Sequence, residues 1–228
     1  MKITWLGQAG FLLEKNGKKI LLDPYLSDAC GAVNPASHRR TPLDEHYLHI
    51  KPDAILLTHD HIDHTDNETL KHYLPGAGGI LVLAGANAWT KVRGFGGDNN
   101  YVRFRPGCRW SWEGFTFTAV CAEHSDPEAI GFIVDDSSKK YYFTGDTLYS
   151  EAVFAQLPKD LYAVFLPING KGNNMNPTDA AAFAARTGAK YSIPMHFGMF
   201  DGLNPKLFTA DNALIPTVYQ SVFPEETE

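Results

Sequence analysis

The sequence predicts one layered α/β domain that spans residues 1–228 and consists of two similar halves. Three observations support this prediction. The chain has 228 residues, a length that suits one domain of ordinary size. Each half begins with strands typical of a meander and continues with alternating strands and helices. No stretch rich in glycine, serine or proline is long enough to separate two domains.

The first half is predicted to begin with three strands, because apolar and polar residues alternate there. Asn16-Gly17 is a hairpin signal, and the third strand runs over 19–23. The segment 25–51 has no periodicity, and a loop of that length in a compact domain often serves as a functional lid. The patterns that follow predict strands at 54–58 and 80–84 and helices at 67–73 and 87–93.

The second half repeats this plan. Its patterns predict strands at 101–104, 115–121, 130–135, 140–144, 163–166 and 191–195. Helices are predicted at 150–157 and 179–187. Thr178 is the predicted N-cap of the second of these helices, and Gly188 is the residue that ends it.

Composition and charge exclude several classes of partner. The formal net charge is −6, which argues against a broad nucleic-acid-binding face. Three cysteines without a C-x-x-C pair predict reduced thiols in a cytoplasmic protein. No apolar run approaches 18 residues, so no transmembrane helix is expected. We therefore expect a small-molecule substrate, no nucleic acid and no membrane, and the sequence leaves a homo-oligomer open.

The motif with the clearest chemistry is His59-x-His61-x-Asp63-His64, which directly follows the predicted strand at 54–58. Side chains two apart in an extended segment point the same way, so His59 and His61 can reach one metal ion. A tight turn can bring Asp63 and His64 to a second ion nearby. Imidazole and carboxylate ligands suit zinc, and also manganese, iron or cobalt. The alternative, a solvated polar loop, requires these four residues to coincide by chance.

Three further potential ligands each follow a predicted strand. These are His124, Asp146 and His196, and α/β folds place their sites beyond the carboxyl ends of strands. Each residue alone is more typical of a core histidine or a turn-capping aspartate. Together with the histidine cluster they predict a metal site.

This order of ligands resembles that of the metallo-β-lactamase superfamily. The order is His-x-His-x-Asp-His, then a lone histidine, then Gly145-Asp146, and then a last histidine after a strand. Asp23, at the end of the third predicted strand, matches the superfamily's first motif. The resemblance covers 2–202 and implies a four-layer αββα sandwich with a dinuclear site at one edge.

A closer resemblance is to the L-ascorbate-6-phosphate lactonase-like branch of that superfamily. The segments that carry this likeness are 5–11, 40–42, 166–170, 174–175 and 179–180. The chain is shorter than the lactonases themselves.

The resemblance implies two divalent ions. Zinc is the first candidate for this metal, and manganese is the alternative. The implied ligands are His59, His61 and His124 for one ion, Asp63, His64 and His196 for the other, and Asp146 as the bridge. Two such ions lower the pKa of water and so supply hydroxide at neutral pH. Asp63 and Asp146 are the predicted catalytic residues, with Asp63 orienting the nucleophile and accepting its proton. The summed charges of the two ions and their ligands give the site a positive net charge, which favours small anionic substrates.

Substrate contacts are predicted at five polar positions, which are Arg39, Arg40, Asn169, Lys171 and Asn174. The basic side chains could bind a phosphate or a carboxylate, and ordinary surface charge is the alternative. The asparagines could bind sugar hydroxyls, although asparagine also forms turns. Gln8 and Asp23 are expected to support the ligands from behind, and simple packing is the alternative for Gln8.

Three functions follow from these features. The leading hypothesis is a metal-dependent hydrolase that opens a small anionic lactone or ester, such as a sugar-acid phosphate lactone. The first alternative is a phosphodiesterase that acts on a small phosphodiester. The second is a diiron redox protein, against which His61 argues, because a glutamate replaces this histidine in the diiron branch of the superfamily.

Overall fold

Two six-stranded β-sheets form the centre of the protein in the computed structural model, which describes residues 1–76 and 78–224. The first sheet contains, in spatial order, β1 (Lys2–Gly7), β2 (Gly10–Lys15), β3 (Lys18–Leu22), β4 (Ala54–Leu57), β5 (Gly78–Gly85) and β6 (Asp98–Phe104). The second contains β7 (Arg109–Trp112), β8 (Phe115–Cys121), β9 (Ile130–Asp135), β10 (Lys140–Phe143), β11 (Leu161–Pro167) and β12 (Tyr191–Met195).

The two sheets have the same plan. In each sheet the early strands are antiparallel, as β1, β2 and β3 are in the first. The later strands are parallel, as β10, β11 and β12 are in the second. The prediction of two similar halves is therefore confirmed.

The core lies between the sheets. Phe11 of β2 reaches across to Phe143 and Phe165, with ring centroids 5.3 and 5.0 Å apart. Leu12 and Leu21, which point to the opposite face of the first sheet, belong to a separate apolar cluster that includes helical residues. Because the first sheet is covered on both faces, its central strand β4 consists only of buried apolar residues.

The outer layers are short helices, which gives the αββα order that the resemblance implies. They are α2 (Asn67–Leu70), α3 (Ala86–Val92), α4 (Glu151–Phe154) and α5 (Pro177–Thr187), each with buried residues, whereas α1 (Ala29–Val33) has none. The segment 25–51, expected to be a loop without regular structure, contains α1 and two turns of 3₁₀-helix. Within the described residues, no helix has the length and hydrophobicity that a bilayer crossing requires.

The start of α5 differs from the prediction. Asn176, rather than Thr178, is the N-cap, and its side-chain oxygen accepts hydrogen bonds from the backbone N–H groups of Thr178 and Asp179, both at 2.9 Å. The helix begins two residues early because Pro177 has a backbone angle suited to the first helical position. Gly188 ends α5 in the left-handed conformation, as predicted.

Candidate metal centre

The carboxyl ends of several strands meet at one edge of the two sheets, and a polar residue follows each of them. These residues are Gln8 after β1, Asp23 after β3, His59 after β4, His124 after β8, Asp146 after β10 and His196 after β12. Open α/β sheets bind their ligands at such an edge. Strand direction therefore brings together residues that are up to 188 positions apart in the sequence.

The predicted ligands form two groups. The first ligand group is His59, His61, His124 and Asp146, and the second is Asp63, His64 and His196. Within each group, one nitrogen or oxygen atom per residue lies within 4.8 Å of the others. The Oδ1 atom of Asp146 is 3.3 Å from Nε2 of His64, and its Oδ2 atom is 3.2 Å from Nε2 of His196. Asp146 belongs to the first group and contacts these two histidines of the second, so it faces both groups.

Hydrogen bonds behind the site determine which nitrogen of two histidines faces it. His64 donates from Nδ1 to Oδ2 of Asp23 at 2.8 Å. His59 donates from Nδ1 to the hydroxyl of Thr58 at 2.9 Å, and that hydroxyl donates to Asp23 at 2.5 Å. The Nε2 atoms of both histidines are buried, and among the described residues they have no hydrogen-bond partner. A buried acceptor without a partner is costly, and a bound cation would remove this cost.

The spacing of the ligand atoms also fits a metal ion. Nδ1 of His61 and Nε2 of His124 are 3.2 Å apart, and Nε2 of His196 is 3.2 Å from Oδ2 of Asp63. A tetrahedral ion with bonds of about 2.0–2.1 Å places its ligand atoms about 3.3 Å apart. The donor set of imidazole and carboxylate is the one that zinc and similar divalent ions prefer.

The buried carboxylates and histidines of the site shift one another's pKa values. Burial lowers the pKa of His59, and the nearby His64 lowers it further. Burial also lowers the pKa of His196, but the carboxylates of Asp146 and Asp63 outweigh this and raise it to about 9. Burial raises the pKa of Asp146, yet the two histidines beside it bring that pKa well below its usual range. The cluster therefore requires positive charge, which protons or divalent ions can supply.

The backbone around the site adopts unfavourable conformations. Gln8, Asp23 and His196 have φ angles of 51°, 40° and 59°, a left-handed region that residues other than glycine rarely occupy. The structure holds them there with specific hydrogen bonds: the N–H of His196 donates to the carbonyl oxygen of Gln8 at 2.9 Å. The side chain of Gln8 in turn donates to Oδ2 of Asp63 at 2.8 Å. The strained turns thus aim side chains of the second ligand group.

A cavity of about 370 Å³ lies over the ligands. Its floor includes His61, Asp63, Asp146 and His196, and its walls include Ser37, Asn169, Lys171, Asn174 and Phe200. The segment around Ser37 belongs to the predicted lid. A small molecule in this cavity would contact the ligand groups directly.

Comparison with known proteins identifies the family. A family model described as the beta-lactamase superfamily domain matches residues 18–197. The chain belongs to the metallo-β-lactamase superfamily. A UPF0173 metal-dependent hydrolase of Carboxydothermus hydrogenoformans is 34% identical over 206 residues, which are 86% of this chain and 84% of that relative. This identity places the chain in the UPF0173 metal-dependent hydrolase family within the superfamily.

Two other similar proteins extend the comparison. An N-acyl-phosphatidylethanolamine-hydrolyzing phospholipase D 1 of Caenorhabditis elegans is 27% identical, over 86% of this chain and 64% of the worm protein. The solved structure of Igni18, a metallo hydrolase from the archaeon Ignicoccus hospitalis, is 19% identical and matches with a TM-score of 0.75 over 96% of each chain. At that identity the likeness shows the fold alone, and it agrees with the metallo-β-lactamase sandwich.

Three of the predicted substrate contacts lie at the cavity of this superfamily member. Asn169, Lys171 and Asn174 line it. Asn174 also donates from Nδ2 to Oδ2 of Asp146 at 2.8 Å. The backbone carbonyl of the adjacent Asn173 lies 3.2 Å from Nδ1 of His124. The loop that carries these residues therefore contacts the metal ligands as well as the cavity.

The two predicted arginine contacts are not brought to the cavity. Of the residues that the structure describes, neither Arg39 nor Arg40 is among those that line it. The guanidinium of Arg39 donates instead to the carbonyl oxygens of Tyr25 and Thr41, both at 2.8 Å, and to the hydroxyl of Tyr219 at 2.9 Å. Arg39 therefore ties the segment 25–51 to Tyr219, and its role in substrate binding stays a prediction. Arg40 is exposed, and its backbone N–H donates to the carbonyl oxygen of Met199 at 2.9 Å.

Sequence reasoning missed Thr58, whose buried hydroxyl connects Asp23 with His59. The available signal was its position immediately before the histidine motif. It also missed Phe200 on the cavity wall, because an aromatic residue in an irregular segment has no pattern that separates packing from substrate contact.

Proposed function

We propose that this chain hydrolyses a small anionic lactone or related ester, such as a sugar-acid phosphate lactone, at two divalent ions held by the two ligand groups. The observation that carries the proposal is the pair of buried Nε2 atoms of His59 and His64, which make no hydrogen bond to any described residue. They lie beneath the cavity, and that of His64 is 3.3 Å from Oδ1 of Asp146. Zinc suits these ligands best, and manganese is the second candidate.

The side chains on the cavity floor have distinct roles in this proposal. When bound, divalent ions act as Lewis acids and lower the pKa of water, so that hydroxide is available at neutral pH. Asp63 orients the attacking water and accepts its proton, and the hydrogen bond from Gln8 fixes the direction of the Asp63 carboxylate. Asp146 fixes the position of one ligand group relative to the other. Asn174 fixes the direction of the Asp146 carboxylate by a hydrogen bond to its Oδ2 atom.

The loop at 169–174 supports an anionic substrate. Gly170, Gly172 and Asn173 have positive φ angles of 61–64°, and turns of this kind direct successive N–H groups toward a common point where an anion can bind. Among the described residues, the backbone N–H groups of 171–174 have no acceptor. The ammonium of Lys171 adds a positive charge at the same wall of the cavity.

The asparagines of this loop support a substrate with hydroxyl groups. The Oδ1 atoms of Asn169 and Asn174 are buried and have no hydrogen-bond partner among the described residues. Each is an acceptor that a substrate hydroxyl would satisfy. An anionic sugar derivative would therefore meet both kinds of group at one wall of the cavity.

A small phosphodiester is the second candidate substrate. The worm relative favours it, because its name gives a phospholipid as the substrate, and the anion-binding features of the loop suit a phosphodiester equally. The net charge of −6 favours a small molecule over a nucleic acid. The diiron redox alternative is disfavoured by His61, which occupies the position of the diiron branch's glutamate.

The test is a hydrolysis screen of the full chain loaded with zinc or with manganese. Phosphorylated sugar lactones, carboxylic esters and small phosphodiesters are compared, and His61→Ala, which removes one ligand, is the control. We expect hydrolysis of a lactone by the native chain and none by the variant. Hydrolysis of phosphodiesters alone would establish the second candidate. A chain that holds two ions per molecule by elemental analysis yet hydrolyses nothing in the screen would contradict both.

A further inference from the structure

Helix α3 contacts the loop that carries most of the metal ligands. Two polar side chains of this helix, Asn87 and Lys91, are four residues apart and therefore lie on the same face of it. Both are tied to the backbone of the ligand loop at 59–65, either directly or through one intermediate side chain. Neither residue lines the cavity over the ligands, within the part of the chain that the structure describes.

Lys91 spans the ligand loop. Its Nζ atom donates to the carbonyl oxygen of Asp60 at 3.2 Å and to that of Thr65 at 2.8 Å. The side chain is half-buried, and an ammonium group in such a place needs acceptors. The two carbonyls lie on either side of His61, Asp63 and His64, so one ammonium group holds both ends of this segment.

Asn87 connects the same loop with the loop of another ligand. Its Nδ2 atom donates to Oδ1 of Asp126 at 2.7 Å, and Oδ2 of Asp126 accepts from the N–H of Asp60 at 3.3 Å. Asp126 is 5% exposed and lies two residues after His124. Both backbone polar groups of Asp60 are therefore held from α3, and the ligand loop is joined to the His124 loop.

We propose that Asn87 and Lys91 are positioning residues that set the spacing of His59, His61 and His124 and thereby the metal affinity of the first ligand group. The inference rests on the metal centre of the proposed function. Asp60 lies between His59 and His61, so a shift of its backbone moves both of these ligands relative to His124.

The second ligand group depends less on this arrangement. Asp63 and His64 lie on the segment that Lys91 spans, but each side chain also has a support outside α3: the side chain of Gln8 donates to Asp63, and Asp23 holds His64. The backbone of His196 is held by the carbonyl of Gln8. A loss of Asn87 or Lys91 should therefore weaken one of the two ions selectively.

The experiment is a metal-competition titration of the full chain, with cobalt(II) as the probe and a chelator as the competitor. Lys91→Met keeps most of the side-chain length but removes the donors, and Asn87→Ala removes the link to Asp126. We expect each to weaken one of the two bound ions by about 10–100-fold, as is typical when a residue behind a metal ligand is lost. Lys91→Arg, which retains donors, should restore much of the affinity.

Two ligand variants identify the weakened ion, because His124→Ala disables the first ligand group and His196→Ala the second. The cobalt absorption band that is lost in His124→Ala reports the first ligand group, and Lys91→Met and Asn87→Ala should alter it. The band that is lost in His196→Ala reports the second ligand group, and both variants should leave it unchanged. Lys71→Met is the matched control, since this exposed lysine pairs with Glu68 on the surface, and it should bind both ions as tightly as the native chain.

Several outcomes would overturn the inference. Native affinity for both ions in Lys91→Met and in Asn87→Ala would do so, and so would an equal loss at both ligand groups, which indicates general destabilisation. If Lys91→Met does not fold, Asn87→Ala decides the matter alone. A native chain that binds no metal would overturn this inference and the proposed function together. If the native chain binds two ions and both variants bind them with native affinity, this inference alone is overturned.

Discussion

Oδ2 of Asp23 lies 2.8 Å from Nδ1 of His64, and both side chains are completely buried. The carboxylate of Asp23 also accepts hydrogen bonds from the backbone N–H and the hydroxyl of Thr58. These contacts place a proton on Nδ1 of His64 and leave its Nε2 atom free to face Asp146. One carboxylate therefore orients a metal ligand that lies 41 positions further along the chain.

Replacement of Asp23 by alanine should weaken metal binding and destabilise the fold. We expect the second ligand group to lose about 10–100-fold in metal affinity, because His64 is no longer oriented. The free energy of unfolding should fall by about 1–3 kcal/mol, since the buried donors of Thr58 and His64 lose their acceptor. Chelator competition and denaturant titration measure the two effects. Asp53→Ala, at a half-buried aspartate of another loop, is the control, and native metal affinity in Asp23→Ala would refute the role.

Metal removal should lower the thermal stability of the native chain. A ligand that binds only the folded state stabilises it by about 2.7 kcal/mol at a hundredfold excess over its dissociation constant. We therefore expect the midpoint of unfolding to fall after treatment with a chelator and to recover when zinc is added back. Asp146→Ala, which lacks the carboxylate that faces both ligand groups, should show a much smaller response to zinc. An unchanged midpoint in the native chain would contradict a metal centre at these residues.

Arg39 and Lys171 should affect different properties. Arg39→Ala removes the donors to Tyr25, Thr41 and Tyr219, and the loss of such hydrogen bonds should reduce the free energy of unfolding by about 1–3 kcal/mol. Lys171→Ala, at an exposed position on the cavity wall, should leave stability unchanged and raise KM for an anionic substrate. Denaturant titration and steady-state kinetics separate the two. A raised KM at native stability in Arg39→Ala would instead support its predicted role in substrate binding.

Asp136 should contribute stability that depends on pH. Burial raises its pKa, but hydrogen bonds from Ser138, Lys139 and Lys15 bring that pKa below its ordinary value. Because the pKa is lower in the folded chain, the stabilisation is complete above the unfolded value of about 3.9 and is lost as the pH falls through the folded value. Asp136→Asn should therefore lower the free energy of unfolding by about 1–3 kcal/mol at pH 7 and by much less near pH 3.

The measurement for this prediction is denaturant titration of the native protein and of Asp136→Asn, each at pH 7 and near pH 3. Asp160→Asn is the control, because this aspartate pairs with a lysine in solvent, where ion pairs contribute little. A deficit in Asp136→Asn that is the same at both pH values would show that its carboxylate is not the source of the stabilisation.

The sequence predicted most of the strands, since their signal is local. A run of apolar residues such as 54–58 corresponds to β4 within one residue, and the histidine motif after it needs no distant information to be recognised. The short helices were harder to delimit: α2 ends at Leu70, three residues before the predicted end. A helix of four residues depends on packing more than on its own propensity.

The residues of the candidate site divide in the same way. The sequence by itself determined the identity and the order of the candidate metal ligands, because the chemistry of imidazole and carboxylate is a property of the residue type. Only the tertiary structure decided which side chains contact and support these ligands. The side chain of Arg39 turns toward Tyr219, 180 positions away, and α3 reaches the ligand loop through Lys91 and Asn87. Such contacts depend on which elements pack together, and no local pattern specifies that.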